Sequence, residues 1–485
     1  MYYIGVDLGT SSVKLVLMEN TGKIVNVLSK EYPISFPKPL WSEQNPTDWY
    51  EQAVVGIKEL TKDIDKTQVG GISFGGQMHG LVILDENDEV LRPAILWNDG
   101  RTQKECDYLN KTVGQEKISA YTGNMAFPGF TAPKLLWVKE NEPEIFAKIK
   151  KIMLPKDYLI YKLSGVHATD VSDASGMLLF DVAHRCWSKE MIDLVGIKEE
   201  QLAKVFESYE VVGTLTKEIA NELGLPESVK VVAGAGDNAA GAVGTGTLKH
   251  GMCSVSLGTS GTVFIASDEY AVDAKNSLHS FDHANGKYHF LGCMLSAASA
   301  NRWWMENILG TSDHGAEQAK ITELGENHVF FLPYLSGERT PHNNPYAKGA
   351  FIGMTMDTTR AQMTQAVLEG VSYGLRDAVE IARSFGIKID RIRITGGGAK
   401  SKLWCKMMAN IMNVTVDKVA CEEGPGYGAA ILAAVGCGEF ATVEEAADKL
   451  VKVTESIEPT KEIVDKYEVL YQKFRTLYPA VKDVY

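Results

Sequence analysis

The chain has 485 residues, 45% hydrophobic and 23% charged, and a formal net charge of −13 at pH 7. That length exceeds one ordinary core and points to two large domains, while the acidic balance argues against nucleic acid as a partner, because a phosphate backbone selects basic surfaces. No apolar run reaches the roughly 18 residues of a membrane span, and seven scattered cysteines without a C-x-x-C pair indicate neither a disulfide framework nor a zinc site.

In chain order, residues 2–9 read as a strand, with two more at 13–18 and 23–28 around the Asn20-Thr-Gly22 turn, an antiparallel meander. The chain enters that strand without a basic, apolar leader, the expectation for a cytoplasmic protein. At the first tip lie Asp7 and the run Gly9, Thr10, Ser11 and Ser12. Amides and hydroxyls at such a tip can cradle phosphate oxygens, with Lys14 adding charge. Asp7 is placed to hold Mg²⁺ directly or through water. Taken alone, it reads equally as a turn-capping aspartate.

A helix is expected over 46–64, capped by Asn45 with Pro46 in its first turn. A short buried strand at 70–74 then opens onto Gly75-Gly-Gln-Met-His-Gly80. Glycines on both sides of Gln77, Met78 and His79 imply close backbone packing, with these side chains turned into a pocket at a strand end, where α/β ligands bind. A hairpin over 81–84 and 90–95 leads to Asp99 and Arg101, which read equally as substrate contacts or as a mutual ion pair. From 104 to 206 the pattern is mostly helical, including 129–141 and 154–163; 169–175 (TDVSDAS) is polar and turn-like. A strand at 229–233 closes the first half, with Asp237 and Asn238 just beyond its end.

Ser256-Leu-Gly-Thr-Ser-Gly261 is a near copy of Asp7-Leu-Gly-Thr-Ser-Ser12, about half a chain length later. Repetition at that distance points to two similar halves, with domains expected at 1–245 and 246–485 and a polyphosphate held between the two turns. The second copy favours the metal reading of Asp7; Ser256 takes the acid's place there, so one half alone carries the carboxylate. In the second half, Gly258 and Thr259 line the repeated turn. Met363, Val367, Val371, Leu375 and Val379 make one apolar stripe on a helix over 359–385, which is core. A strand at 391–395 enters Gly396-Gly-Gly-Ala399, where Gly397 and Gly398 allow the flat approach of a base or ribose, a reading favoured over a bare tight turn. Residues 424–437 form a small-residue helix that packs very closely. Gly234-Ala-Gly236 after its strand also fits a dinucleotide fingerprint. That reading fails on the missing acid about 20 residues on, and on Asp237 itself, a carboxylate among amides meant for a pyrophosphate.

Five features resemble the FGGY family of carbohydrate kinases: the two LGTS turns, residues 129–141, residues 349–369 and the Gly396-Gly-Gly398 run. The resemblance covers nearly the whole chain. It implies an α/β, two-domain actin-like (ribonuclease H-like) ATPase fold with duplicated halves and a cleft between them. It implies ATP and Mg²⁺ as cofactors, Asp237 as general base, and Gln77, Met78, His79, Asp237 and Asn238 as contacts to a small-molecule sugar. Gly9, Thr10, Ser11, Ser12, Lys14, Gly258, Thr259, Gly397 and Gly398 would line the nucleotide. Within the family, Gly76-Gln-Met-His-Gly80, Ile95-Leu-Trp-Asn-Asp-Gly-Arg101, Gly236-Asp-Asn238 and Pro333-Tyr-Leu-Ser-Gly-Glu-Arg-Thr-Pro-His342 are similar to the members that act on D-xylulose at its 5-hydroxyl. Another sugar or polyol (ribulose, gluconate, glycerol), or a non-catalytic sugar sensor on the same fold, is the alternative. A homodimer is compatible with the sequence, which leaves oligomeric state open; no membrane partner is expected.

Overall fold

The computed structural model describes every residue except Glu422 and Tyr485. The chain divides into two compact units, neither of them one run of sequence. The first comprises Met1–Leu248, Ser280–Tyr288 and Glu423–Val451; the second comprises Lys249–His279, His289–Glu422 and Lys452–Tyr485.

The first unit's sheet runs in the order Val211–Thr214, Lys230–Val232, Val69–Gly76, Tyr2–Leu8, Ser12–Glu19, Ile24–Glu31. The last three strands are the expected antiparallel meander. Val69–Gly76 lies parallel to Tyr2–Leu8, and Lys230–Val232 parallel to Val69–Gly76. Alternation sets the faces. Ile4, Val6 and Leu8, with Val13, Leu15 and Leu17, share a core with Trp49 and Ile57 of the helix Pro46–Leu60. Asn45 caps that helix as expected, its side chain accepting from the Thr47 amide at 3.2 Å. The opposite face receives the helix Gly424–Gly436, whose small residues bring backbones together. A Cβ at Gly5 would lie 1.9 Å from the Gly426 carbonyl oxygen, and one at Gly428 would lie 1.8 Å from that of Ala240. Only glycine admits this approach.

The second unit repeats the plan with Val453–Ile457, Thr415–Val419, Arg391–Thr395, Cys253–Leu257, Gly261–Ser267 and Tyr288–Met294 in corresponding places. Arg391–Thr395 runs parallel to Cys253–Leu257, as Val69–Gly76 does to Tyr2–Leu8. The copies differ at the tip: four residues separate the paired Leu8 and Val13, three the paired Leu257 and Gly261. The long helix is Arg360–Ser384, opened by a capping box at Thr359 and Gln362. Its stripe of Val367, Val371, Leu375 and Val379 is buried in the second core, with Met363 partly buried against it.

The hairpin expected over 81–95 survives only as isolated bridges. Val82–Leu84 pairs instead with Lys151–Met153, and Ala94–Ile95 with Glu43–Gln44, long-range partners that local periodicity cannot signal. Among the described residues no helix is long and apolar enough to cross a membrane.

Candidate active site

In the first unit the strand Tyr2–Leu8 delivers Asp7 to the sheet's end, opposite Lys14 on one side and Gly75 on the other. The turn after it is held from outside. Tyr32 donates its hydroxyl to the Gly9 carbonyl, Gln44 Nε2 donates to the Thr10 carbonyl at 2.7 Å, and Trp97 Nε1 donates to the Thr10 hydroxyl at 2.9 Å. Sequence reasoning missed all three props, since each arrives from a separate segment. With its carbonyls engaged and the Gly9 amide held by the Asp7 and Ser12 carbonyls, the turn has the protons of the Thr10, Ser11 and Ser12 hydroxyls to offer an anion. Lys14 meets Glu423 at 2.9 Å, an ion pair not expected from sequence. No group among the described residues donates a hydrogen bond to the Asp7 carboxylate. Burial, then the charge of Asp237, pushes its pKa up to about 7 against the pull of Lys14.

Asp237 opens the helix Asp237–Thr245 directly after Ala235–Gly236, a two-residue strand beside Gly75 and Gly76. Gly234 makes the bend possible: its φ is +72°, and a Cβ there would lie 2.2 Å from the Phe74 carbonyl oxygen. Asp237 Oδ1 accepts from the Asn238 amide at 2.7 Å and from Asn238 Nδ2 at 2.9 Å. Burial still outweighs these donors and raises its pKa to about 6. Met78 packs where a Gly236 side chain would be, its Cγ 2.9 Å from that Cβ position.

His79 sits in the left-handed region at φ 69°, unusual outside glycine and a mark of a constrained position. Its ring stacks on Phe130 at 4.6 Å, and Nδ1 meets the Gly176 carbonyl at 2.7 Å. A carbonyl can only accept, so Nδ1 carries a hydrogen. The His79 carbonyl accepts from Lys134 Nζ at 2.7 Å and Thr131 at 3.0 Å. Lys134 is fully buried, and burial pulls its pKa well below the usual lysine range. Gln77 differs from its neighbours. It is 2% exposed and donates to Gln44 Oε1 at 3.2 Å, so the structure sets it behind the turn.

Two further clusters complete this region. Arg101 grips Asp99 with two parallel bonds of 2.9 and 2.7 Å, meets Glu43 at 2.8 Å and lies 3.6 Å from the Trp41 ring centre. Of its two sequence readings, the mutual pair is what forms. Residues 169–175, expected as a polar turn, are instead the strand Ala168–Asp170 and the short helix Val171–Ala174, all buried. Some of their polar groups are satisfied internally, Ser172 and Ser208 on Asp170 and Ser175 on the Val171 carbonyl. Lys156 Nζ sits 2.8, 2.9 and 3.6 Å from Asp157, Asp170 and Asp173, each fully or almost fully buried. One ammonium cannot balance three carboxylates away from water. Asp173 alone has no hydrogen-bond donor on either oxygen, and burial holds its pKa well above the carboxylate range.

In the second unit, Gly258, Thr259, Gly397 and Gly398 line a single cavity of about 540 Å³. The Gly396 φ of +84° turns the chain there. Gly398 must be bare, as a Cβ would come 2.8 Å from that of Leu257, whereas beside Gly397 the space is open. Ser299 donates to the Thr259 carbonyl at 2.6 Å. Arg302, His314 and Lys400 reach the same cavity, the first two of them not identified from sequence.

The N-terminal domain of the FGGY family of carbohydrate kinases matches residues 2–244, and its C-terminal domain residues 253–437. The chain belongs to this family. It is 42% identical to the xylulose kinase of Escherichia coli over 98% of both chains. Among solved structures, a protein described as a "xyloylose kinase" from Brucella ovis is 39% identical and covers 100% of both chains, with a TM-score of 0.95. A gluconate kinase from Lactobacillus acidophilus is 28% identical over 99% of this chain and 98% of its own, with a TM-score of 0.94. An FGGY carbohydrate kinase implies ATP, and the glycine-lined cavity, open beside Gly397, suits a flat ring system. For Mg²⁺, no group of three or more acidic, imidazole or thiol side chains converges among the described residues. The Asp7 carboxylate, with Asp237 near it, is the acidic donor at the turn, and one or two carboxylates together with phosphate oxygens and water are a set that Mg²⁺ takes.

Proposed function

We propose that this FGGY kinase transfers the γ-phosphoryl group of ATP to the 5-hydroxyl of D-xylulose, with Asp237 as general base. The observation that carries the reading is the pairing of near full-length similarity to xylulose kinases with a half-buried, raised-pKa carboxylate at the glycine turn. Bound ATP with Mg²⁺ supplies the phosphoryl group and neutralises charge on it. The chain's own residues do the rest.

Asp237 is ionised at neutral pH yet more basic than a free aspartate, so it can take the hydroxyl proton as the new O–P bond forms. Asn238 holds one carboxylate oxygen and leaves the other to the substrate. His79, its ring stacked on Phe130 and its Nδ1 hydrogen on the Gly176 carbonyl, would contact a sugar hydroxyl, and Met78 supplies an apolar wall. Asp7, with no donor of its own, is the carboxylate free to hold Mg²⁺. The tip residues Gly9, Thr10, Ser11 and Ser12 would cradle phosphate oxygens with Lys14, and Gly258, Thr259, Gly397 and Gly398 would receive the nucleotide.

Sugar-dependent ADP release over a panel of D-xylulose, D-ribulose, xylitol, gluconate and glycerol tests the substrate. D-xylulose is expected to give the highest kcat/KM; a better rate on gluconate or glycerol would refute the choice of sugar and leave the family intact. Asp237→Asn keeps the shape but cannot accept the proton, and should lower kcat by about 10²–10⁴. Near-normal turnover would remove Asp237 from the chemistry.

A further inference from the structure

We propose that Asp170 is a positioning residue for Asp237, acting through Ser172 and Ser208 on the glycine turn that presents the base; the inference rests on the reading of Asp237 given above. Two backbone amides define that turn. The Gly234 amide donates to the Ser208 carbonyl at 2.9 Å, and the Gly236 amide donates to Ser172 Oγ at 3.1 Å. Both serine hydroxyls in turn donate to the same oxygen, Oδ2 of Asp170, at 2.5 Å from Ser172 and 2.6 Å from Ser208. That oxygen also accepts the Ser172 amide at 2.9 Å, and Oδ1 faces Lys156 Nζ at 2.9 Å. Lys156, Asp170, Ser172 and Ser208 are each 0% exposed.

The proton directions follow from the donor inventory. Ser172 has one hydroxyl proton and gives it to Asp170, so it meets the Gly236 amide with a lone pair. A carboxylate oxygen taking three donors, its partner oxygen facing an ammonium, makes short, stiff bonds. Stiffness therefore runs from Lys156 through Asp170 and Ser172 to the amide immediately before Asp237. From the other side, Lys156 Cβ lies 2.7 Å from where a Gly76 Cβ would be, and Gly76 is the register partner of Gly236. The cluster thus supports both strands that end at the sugar contacts. None of its members reaches solvent, so it acts on the reaction only through Asp237 and its neighbours.

A double-mutant cycle tests this, reading ADP release with ATP, Mg²⁺ and whichever panel sugar is turned over fastest. Ser172→Ala removes the acceptor of the Gly236 amide. It should lower kcat about 10-fold, part of the roughly 100-fold that a 1 Å misplacement can cost, with sugar KM changed less than about 2-fold. Asp170→Asn turns one acceptor oxygen into a donor and should lose at least as much. In the Asp237→Asn background the same changes should add less than about 2-fold, because there is no base left to misplace. Equal fold-losses in both backgrounds would make the cluster a structural element only, and wild-type kcat in Ser172→Ala would break the link. Full activity in Asp237→Asn alone sinks the base reading instead, and shows without any change in the cluster. Should either variant fail to fold, Ser208→Ala removes one donor from the same oxygen and enters the same cycle with the same two refuting outcomes.

Discussion

Asp7→Asn is expected to stabilise the ligand-free protein at pH 8 and not at pH 4. Burial and the charge of Asp237 raise the Asp7 pKa from 3.8 to about 7, so the fold favours its neutral form. Between those two values the unfolded chain has released a proton that the folded chain keeps. Stability therefore falls as pH rises through the window, and the loss persists above it. About three units at 1.36 kcal/mol each would amount to about 4 kcal/mol. Asp7 is partly open to solvent, and some of its shift is borrowed from Asp237, so screening reduces the expected gain to about 2–3 kcal/mol. Asparagine fills the same volume, stays neutral at every pH and forfeits no hydrogen bond, since no described group donates to Asp7. Thermal unfolding of the chelator-treated, nucleotide-free protein at the two pH values reads the effect. The variant should melt higher than wild type at pH 8 and nearly level with it at pH 4. A midpoint at or below wild type at pH 8, or a gain of the same size at pH 4, would refute the electrostatic argument. Turnover by this variant should demand more Mg²⁺, because charge on the phosphates then goes uncompensated.

The acid limb of kcat/KM is expected near pH 6, because Asp237 must be ionised to accept a proton and its pKa is raised to about 6; activity falls as pH drops through that value. A limb near 4 would mean that the free enzyme's base is an ordinary carboxylate. Gly428→Ala places a methyl 1.8 Å from the Ala240 carbonyl oxygen, backbone that cannot rotate away. Overpacking of this kind costs about 1–3 kcal/mol or more, so the first unit should unfold at lower denaturant; an unchanged midpoint would show that the two helices separate easily.

How much was legible depends on how local each signal is. The meander, the Asn45 cap and the buried stripe of the long helix are set by patterns within about 30 residues, and all appear as read. The duplicated LGTS turns announced two halves, and the sheets repeat. Asp237 stands at a glycine turn because Gly234 must adopt a positive φ, which composition alone signals. Where the reading failed, at 81–95 and 169–175, the deciding partners lie elsewhere in sequence. Strands of two or three residues have no stability alone and take whichever edge the fold supplies. The polar run at 169–175 read as a turn because nothing in its neighbourhood announces Lys156.

The sequence by itself therefore determined the family, the duplicated α/β plan and the chemical types at the site: two acids, a histidine and hydroxyl-rich glycine turns. Only the tertiary structure decided how those groups are charged and held. A carboxylate's pKa depends on burial and on charges a few ångströms away, and Asp7 and Asp237 are 230 positions apart in the numbering yet interact directly. Likewise the Lys156–Asp170–Ser172 chain and the Arg101–Asp99 pair exist only because folding removes water from polar groups, which must then satisfy one another.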